Sequence, residues 1–400
     1  MNIYRNKWIL STPMIAFLVV FIFSLTLFPS VLSKPRNLPI AVVNEDQGFE
    51  MNGQPIMNMG RTIVEMMRQS AATTEGDPAV KWVEVSSAEE ARNGLDNQEY
   101  YAALVIPSDF SAKQALLRTP KPTSPEVQIF INQGMNAAAS AAAGQILNGV
   151  VDNANNSVRA QLLEGFKTQG VTLTVEQAAS IALPIAAKAI IVNETGAKSA
   201  NGNAPVSLFQ PLWMACIASS AILYIAVSKI PVQTRRERLV SKLIYILMGT
   251  IVSLAVGFGL TWLADGMLDF DIPKFADTAL FLSVSSFSYY LMIAAAISVL
   301  GLRGIAIFAL LLFFGAPLLA LPPEMMSPFY REWIHPWLPM RFMVDGLREL
   351  FFFGKGFGWN APATSLAWIA SVSGLVILGS AFMAPMNSNK QPNLAGNRFR

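Results

Sequence analysis

Apolar positions gather into long unbroken runs at the start of the chain and again in its second half, with a polar stretch of mixed periodicity between them. Trp8 to Leu32 carries no formal charge, and as a helix it would reach roughly 37 Å, enough to cross a bilayer with some tilt. Five more runs of spanning length follow, at about 206–227, 243–263, 278–300, 304–321 and 365–384. The pattern predicts a polytopic α-helical membrane protein with six transmembrane helices. A cleaved signal peptide is the rival reading of the first run. Its apolar core is longer than an ordinary h-region and no small-x-small site follows cleanly, so an uncleaved signal-anchor helix over 1–32 is expected.

Residues 33–205 have α/β character, and the pattern predicts an external domain inserted between helices 1 and 2. Ile40 to Val43 is a continuous apolar run that ends in the turn cluster Asn44 to Gly48, as a buried strand followed by a loop would. Met51 to Gln69 has helical spacing, and Val80 to Val85 is strand-like. Ser86 with Glu89 has the spacing of a capping box. Ala102 to Ile106 predicts a second fully apolar strand, Pro107-Ser108-Asp109 the start of a helix, and alternating Val127, Ile129 and Ile131 a half-exposed strand. A long helix from Met135 to about Phe166, a shorter one over Val175–Leu183 and a returning strand over Pro184–Val192 complete a mostly parallel sheet.

Between the last two spans, at about 322–364, five prolines (Pro322, Pro323, Pro328, Pro336, Pro339) punctuate a segment that ends in an amphipathic helix, Met340 to Phe353. Arg341, Asp345, Arg348 and Glu349 share one face of that helix; Met343, Leu347, Leu350 and Phe351 share the other. Arg341 and Asp345 are spaced as an i,i+4 pair. Too short and too charged to span, the helix of this external hairpin is expected to lie in the outer interface or to re-enter partway, with Trp333 and Trp337 at headgroup depth.

Charge sets the orientation. The loop Lys229 to Lys242 holds five basic residues and one acid, which marks a cytoplasmic side; the next loop holds Asp265, Asp269, Asp271 and Asp277 against Lys274. Arg5, Lys7, Arg303, Lys390, Arg398 and Arg400 agree. Both termini, including the tail 387–400, are expected in the cytoplasm, with residues 33–205 outside. This topogenic role alone can account for the basic loop, and docking of a partner is the added alternative.

Composition narrows the chemistry. Only 14% of the 400 residues are charged, 53% are hydrophobic and the net charge is +3, which gives nucleic acid no basic face to bind. A single Cys216 and a single His335 allow no disulfide, no zinc centre and little material for a nucleophile–base pair. No phosphate-binding G-x-x-x-x-G-K-[ST] loop occurs; Gly354 to Gly358 resembles one only superficially, because it follows a helix rather than a strand. No ionisable residue lies mid-span, which argues against a self-powered proton pump. The chain is therefore expected to be no enzyme, and no cofactor is implied.

Candidate sites are few. Asn44, Glu45, Asp46, Ser108, Asp109, Asn132 and Gln133 would share the carboxyl edge of a parallel sheet, where α/β folds bind ligands. The plainer role for such residues is capping and turn formation. Arg341, Asp345 and Arg348 are candidates to meet lipid headgroups or an anionic substrate, against the plainer alternative of a solvated helix face. Asn155-Asn-Ser157 and Asn193-Glu-Thr195 match the glycosylation pattern.

Leu38-Pro-Ile-Ala-Val-Val-Asn-Glu-Asp-Gln-Gly48 after a first span, Tyr100-Tyr-Ala-Ala-Leu-Val-Ile-Pro-Ser-Asp-Phe-Ser111, Val206-Ser-Leu-Phe-Gln-Pro-Leu-Trp213 and Leu338-Pro-Met-Arg-Phe-Met-Val-Asp-Gly-Leu-Arg-Glu-Leu350 occur in order. Together they resemble the phage-infection-protein (Pip/YhgE-like) family, within the membrane-domain superfamily of type-2 ABC exporters. The resemblance implies a multi-pass protein of the bacterial plasma (inner) membrane, a permease-type subunit that sits among membrane lipids, forms a homodimer or heterodimer and works with a separate cytoplasmic ATPase. It would export an amphipathic, lipid-like or toxic hydrophobic compound. Arg235, Arg236, Glu237 and Arg238 fall where the family's coupling segment meets its ATPase. Two features depart from the pattern: seven residues precede the first run, and the insert is short for phage-infection relatives. The alternative is a non-transporting surface factor, either a scaffold for a secretion or envelope complex or a phage-entry receptor.

Overall fold

The computed structural model describes residues 34–383 except 51–56, 73–76 and 171, together with scattered helical positions between 13 and 24. The anchor helix as a span, and the tail 387–400, lie outside the described residues.

The polar stretch forms a five-stranded sheet, β1 (Leu38–Asn44), β2 (Val80–Val85), β3 (Ala102–Ile106), β4 (Glu126–Asn132) and β5 (Ala186–Val192), in the order β2-β1-β3-β4-β5. Helices α1 (Met59–Ala72), α2 (Ala88–Asp96), α3 (Phe110–Leu116), α4 (Ala137–Gln169) and α5 (Val175–Ala182) connect the strands. β1 is parallel to both neighbours, with Ile40 opposite Trp82 and Ala102. Its continuous apolar run is explained by burial on both faces: Leu38, Ile40 and Val42 pack under α1 and α4, while Ala41 and Val43 pack under α2 beside Ala91 and Leu95.

Three of the four pairings are parallel, but β3 and β4 run antiparallel, with Ala102 opposite Ile131 and Val105 opposite Gln128. The connection through α3 does not cross back along the sheet, so β4 starts from the end where β3 finishes.

Two local expectations shift. The first helix begins at Met59, because Asn58 Oδ1 accepts from the Arg61 N–H and caps it there; Met57 instead bridges to Phe49. The cap lies one residue later, with Ser87 Oγ accepting from the Glu90 N–H, and Glu90 Oε2 accepts from the N–H of Ser86, the residue before the cap, so the reciprocal box does not close. Both sequons serve the fold. Asn155 is buried and clamps Ile185 through its N–H and C=O, and Asn193 donates to Asn132 Oδ1.

Among the described residues, four continuous helical stretches are long and apolar enough to cross a membrane: Ala204–Ser228, Arg235–Gly266, Phe275–Leu319 and Ala361–Phe382. They contain α6 (Phe209–Ser228), α7 (Arg235–Gly266), α8 (Phe275–Leu300), α9 (Ile305–Leu319) and, after α10 (Met340–Phe352), α11 (Ala361–Gly379). The third stretch is folded in two. Gly301 takes φ +67°, which side chains resist, and a Cβ on Gly304 would sit 3.0 Å from the Ala296 backbone, eight residues back. In a straight helix those positions are about 12 Å apart, so α9 turns back along α8.

α8 is the centre of this bundle, buried along most of its length. Its packing relies on small residues facing large ones. Gly249 on α7 leaves room for Tyr290, whose hydroxyl donates to the Tyr245 carbonyl at 2.9 Å, and Tyr245 donates to the Ser220 carbonyl at 2.8 Å. Trp213 donates to the Phe308 carbonyl at 3.1 Å. These aromatic hydroxyls and the indole each end on a backbone acceptor, as polar groups in an apolar bundle must.

Candidate functional site

The antiparallel step between β3 and β4 divides the edge that a wholly parallel sheet would have kept together. Asn44, Glu45, Asp46, Ser108 and Asp109 lie at one end of the sheet; Asn132 and Gln133 lie at the other, beside Tyr101.

At the first end Asp46 is the hub, buried and shared among three segments. Its Oδ1 accepts from the N–H groups of Gly48 (3.2 Å) and Ser111 (3.0 Å), and its Oδ2 from the Gly60 N–H (3.0 Å) and the Ser111 hydroxyl. Ser111 Oγ in turn accepts from the Met59 N–H at 2.8 Å. One carboxylate thus ties the β1 turn to the first turns of α1 and α3, where a negative charge also suits the helix dipoles. Asn44 Oδ1 accepts from the Asp46 N–H, Glu45 Oε1 from the Ala88 N–H, and Asp109 pairs with Lys113 at 2.7 Å. A Cβ on Gly60 would meet Asn44 Oδ1 at 2.3 Å, so glycine is required by the close approach.

The other end meets the apolar helices through the proline-rich hairpin. Asn132 is fully buried, donating to the Leu95 (2.7 Å) and Tyr100 (3.0 Å) carbonyls. Gln133 Oε1 accepts from the Thr195 N–H. Asn136 caps α4 and donates to the Ala320 carbonyl at 3.0 Å. Tyr101 donates to Glu324 Oε2 at 2.7 Å, and the Arg36 N–H donates to the Glu324 carbonyl at 2.8 Å. Burial, then the Glu324 charge, hold the Tyr101 hydroxyl well above the usual tyrosine range, so it stays protonated and donates.

Part of the polar face of α10 lies in this seam: Arg348 and Glu349 are covered, while the Asp345 side chain is 46% exposed. The Arg348 and Glu349 side chains are only 12% and 15% exposed. The pair that forms is Asp345 with Arg348, at 3.9 Å, rather than Arg341 with Asp345. Arg341 instead places Nη1 3.4 Å from His335 Nδ1 and its guanidinium 4.8 Å over the Phe342 ring centre. A guanidinium only donates, so His335 Nδ1 is the acceptor and its proton sits on Nε2. Burial, then the positive charges of Arg341 and Arg348, push His335 down to about 4. On its other face α10 is seated on the bundle: a Cβ on Gly346 would fall 2.1 Å from Phe281 Cζ, and Met343 and Leu347 are fully buried. The signal for this seam that the one-dimensional pattern lacked is Tyr101. It is buried and bonded to a residue 223 positions away, and nothing in its neighbourhood along the chain announces that.

Arg235, Arg236, Glu237 and Arg238 form the first turn of α7, the first three exposed and Arg238 partly covered. Glu237 completes a capping box with Thr234, accepting from the N–H groups of Gln233 (2.7 Å) and Thr234 (3.3 Å). The three arginines have no acidic partner among the described residues, and they stand at the end of the helix dipole that repels cations. The described residues hold no cluster of three or more His, Cys, Asp or Glu able to bind a metal ion.

The crystal structure of a domain of a proposed ABC type-2 transporter from Thermotoga maritima MSB8 is similar to part of the chain. The identity is 18% and the TM-score 0.23, over 38% of this chain and 86% of that one. No curated protein matches. The family model described as ABC-2 family transporter protein matches residues 7–382, nearly the whole length, and the chain therefore belongs to the ABC-2 transporter family of membrane proteins.

Proposed function

We propose that the chain is the permease subunit of an exporter and that it is driven by a separate cytoplasmic ATPase docking on the first turn of α7. Membrane subunits of this family usually pair with an ATPase and are typically not enzymes themselves. The observation that carries the reading is the trio Arg235, Arg236 and Arg238. They cost the helix free energy through its dipole and gain no ion pair among the described residues, and Arg235 and Arg236 are exposed with Arg238 partly so, as a surface that awaits an acidic partner would be.

In this reading both chain ends and the α7 turn face the cytoplasm, the sheet domain stands outside the plasma membrane between spans one and two, and six spans per subunit work as a dimer. The cargo is amphipathic, lipid-like or a toxic hydrophobic compound, in keeping with an apolar bundle without mid-span charge. The sheet domain guards the exit or receives cargo.

Affinity capture of the tagged full-length protein from native membranes tests the reading. A nucleotide-binding protein should be retained by the wild type. Its retention should fall about ten-fold or more when Arg235, Arg236 and Arg238 are changed together to glutamate, in a variant whose membrane orientation is verified by residue-specific labelling. Capture of no nucleotide-binding protein, or equal capture by the correctly inserted variant, would overturn it.

A further inference from the structure

Arg341 and Arg348 stand seven residues apart on α10, two helical turns, and so lie on the same side of that helix. Arg341 Nε and Arg348 Nη2 are both buried, and neither meets an acceptor. The carboxylates around them are engaged or distant. Glu324 is held by Tyr101, Glu349 is shared by Asn360 (2.8 Å) and Lys355 (3.7 Å), and Asp345 approaches Arg348 only to 3.9 Å, through Nη1. Arginine does not shed its charge, so these buried N–H groups call for an acceptor from outside the chain.

A second feature says at what depth that acceptor lies. The segment carrying His335 also carries Trp333 and Trp337, which are 70% and 83% exposed, and Trp359 after α10 is 80% exposed. Large indoles left uncovered beside apolar helices are the mark of the headgroup layer, where one end of the ring is wet and the other is in hydrocarbon. The two guanidinium groups therefore stand at the level of lipid phosphates. Asp345 already lies beside Arg348, and Lys355 offsets Glu349, so the site offers surplus N–H donors without a large excess of positive charge. That suits a monoanionic phosphodiester better than a dianion.

We propose that Arg341 and Arg348, with His335 beside them, bind a phosphodiester at the seam between the hairpin and the sheet domain, supplied by a phospholipid headgroup. The planar guanidinium groups offer directed N–H donors to the phosphate oxygens, and Phe342 and the tryptophans border the acyl region. Because the seam includes Tyr101 and Glu324, a bound headgroup lies within reach of the contact by which the sheet domain is seated. This site is independent of whether an ATPase docks on α7.

The test uses the full-length protein stripped of lipid in detergent and examined by native mass spectrometry. Short-chain phosphatidylglycerol, the diacylglycerol of the same chain length and inorganic phosphate are titrated separately. Phosphatidylglycerol should be retained and should raise the melting temperature, while the diacylglycerol does neither. Changing Arg341 and Arg348 together to glutamine should weaken retention about ten-fold or more, and Arg348→Lys, which keeps the charge but not the fork, should weaken it less. Should the double variant not fold, the wild-type contrast between phosphatidylglycerol and diacylglycerol decides alone. Equal retention of the diacylglycerol, or undiminished retention of phosphatidylglycerol by the folded double variant, overturns the site. Retention of inorganic phosphate in place of the lipid overturns the lipid as its source.

Discussion

The two ends of the sheet use the same kinds of residue to opposite effect. At the Asp46 end a buried carboxylate accepts from four donors supplied by its own domain. At the Tyr101 end charged groups come from two distant parts of the chain, and the donors outnumber the acceptors that reach them. The difference follows from what covers each end. The Asp46 end is closed by the helices that grow from it, so its polar groups can be matched locally. The Tyr101 end is closed by a hairpin that must also sit on an apolar bundle, and one helix, α10, has to serve both surfaces. The first arrangement is a rivet; the second is a joint.

Removing the rivet should produce the largest effect. Asp46→Ala leaves three N–H groups and a hydroxyl without their acceptor and should destabilise the sheet domain by roughly 3–5 kcal/mol. Limited proteolysis of the membrane-bound protein should then cut between 44 and 111 while the bundle stays intact. Resistance equal to wild type would erase the contrast between the two ends.

Acid acts on the joint instead. His335 titrates near 4 in the folded chain, against about 6.5 when unfolded. The unfolded state therefore binds the extra proton between those values, so the stability contributed by neutral His335 is complete above about pH 6.5 and is lost as pH falls toward 4. The cost is on the order of 3 kcal/mol across that window. A His335→Gln variant should melt with a flatter dependence over the same range. Identical slopes in the two proteins would remove His335 from the account.

Gly346→Ala comes next. The new methyl must displace the Phe281 ring, a change expected to cost roughly 1–3 kcal/mol, and Phe281→Leu in the same chain should recover part of it. Melting in detergent reads both. Additive losses in the double variant would mean that the two residues do not share the contact. The smallest effect belongs to Tyr101→Phe, which removes one hydrogen bond to a carboxylate and should cost about 1–2 kcal/mol. Hydrogen exchange should then rise at Arg36, whose N–H donates to the Glu324 carbonyl, and not at Gly60 beside Asp46. Faster exchange at both sites would show that the ends are not separate.

Much of this architecture is legible along the chain because it is periodic. Runs of β-branched residues, helix caps and the apolar stretches each carry a local signal, and the strands and most helices fall where those signals lie. The direction of β4 has no such signal: Val127, Ile129 and Ile131 alternate identically in either orientation, and only the pairing with β3 decides. The same holds for α10. Its spacing shows a polar face but not what covers it, so an Arg341–Asp345 pair and a solvated surface were equally compatible with it. The turn Arg235–Arg238 is legible as charge. Its capping by Thr234 and Glu237, which leaves the arginines over, becomes apparent only in three dimensions.

The reversal at β4 also determines where the sheet can be spliced into a chain. The polypeptide enters at Leu38 and leaves β5 at Val192, and β5 runs alongside β4, so both junctions lie at the same end of the sheet. With every strand in one direction, the exit would sit a strand's length from the entrance, and an extra return segment would be needed. One turned strand brings the entrance and the exit of the sheet to the same end, so its strands could lengthen or shorten without moving either junction apart from the other.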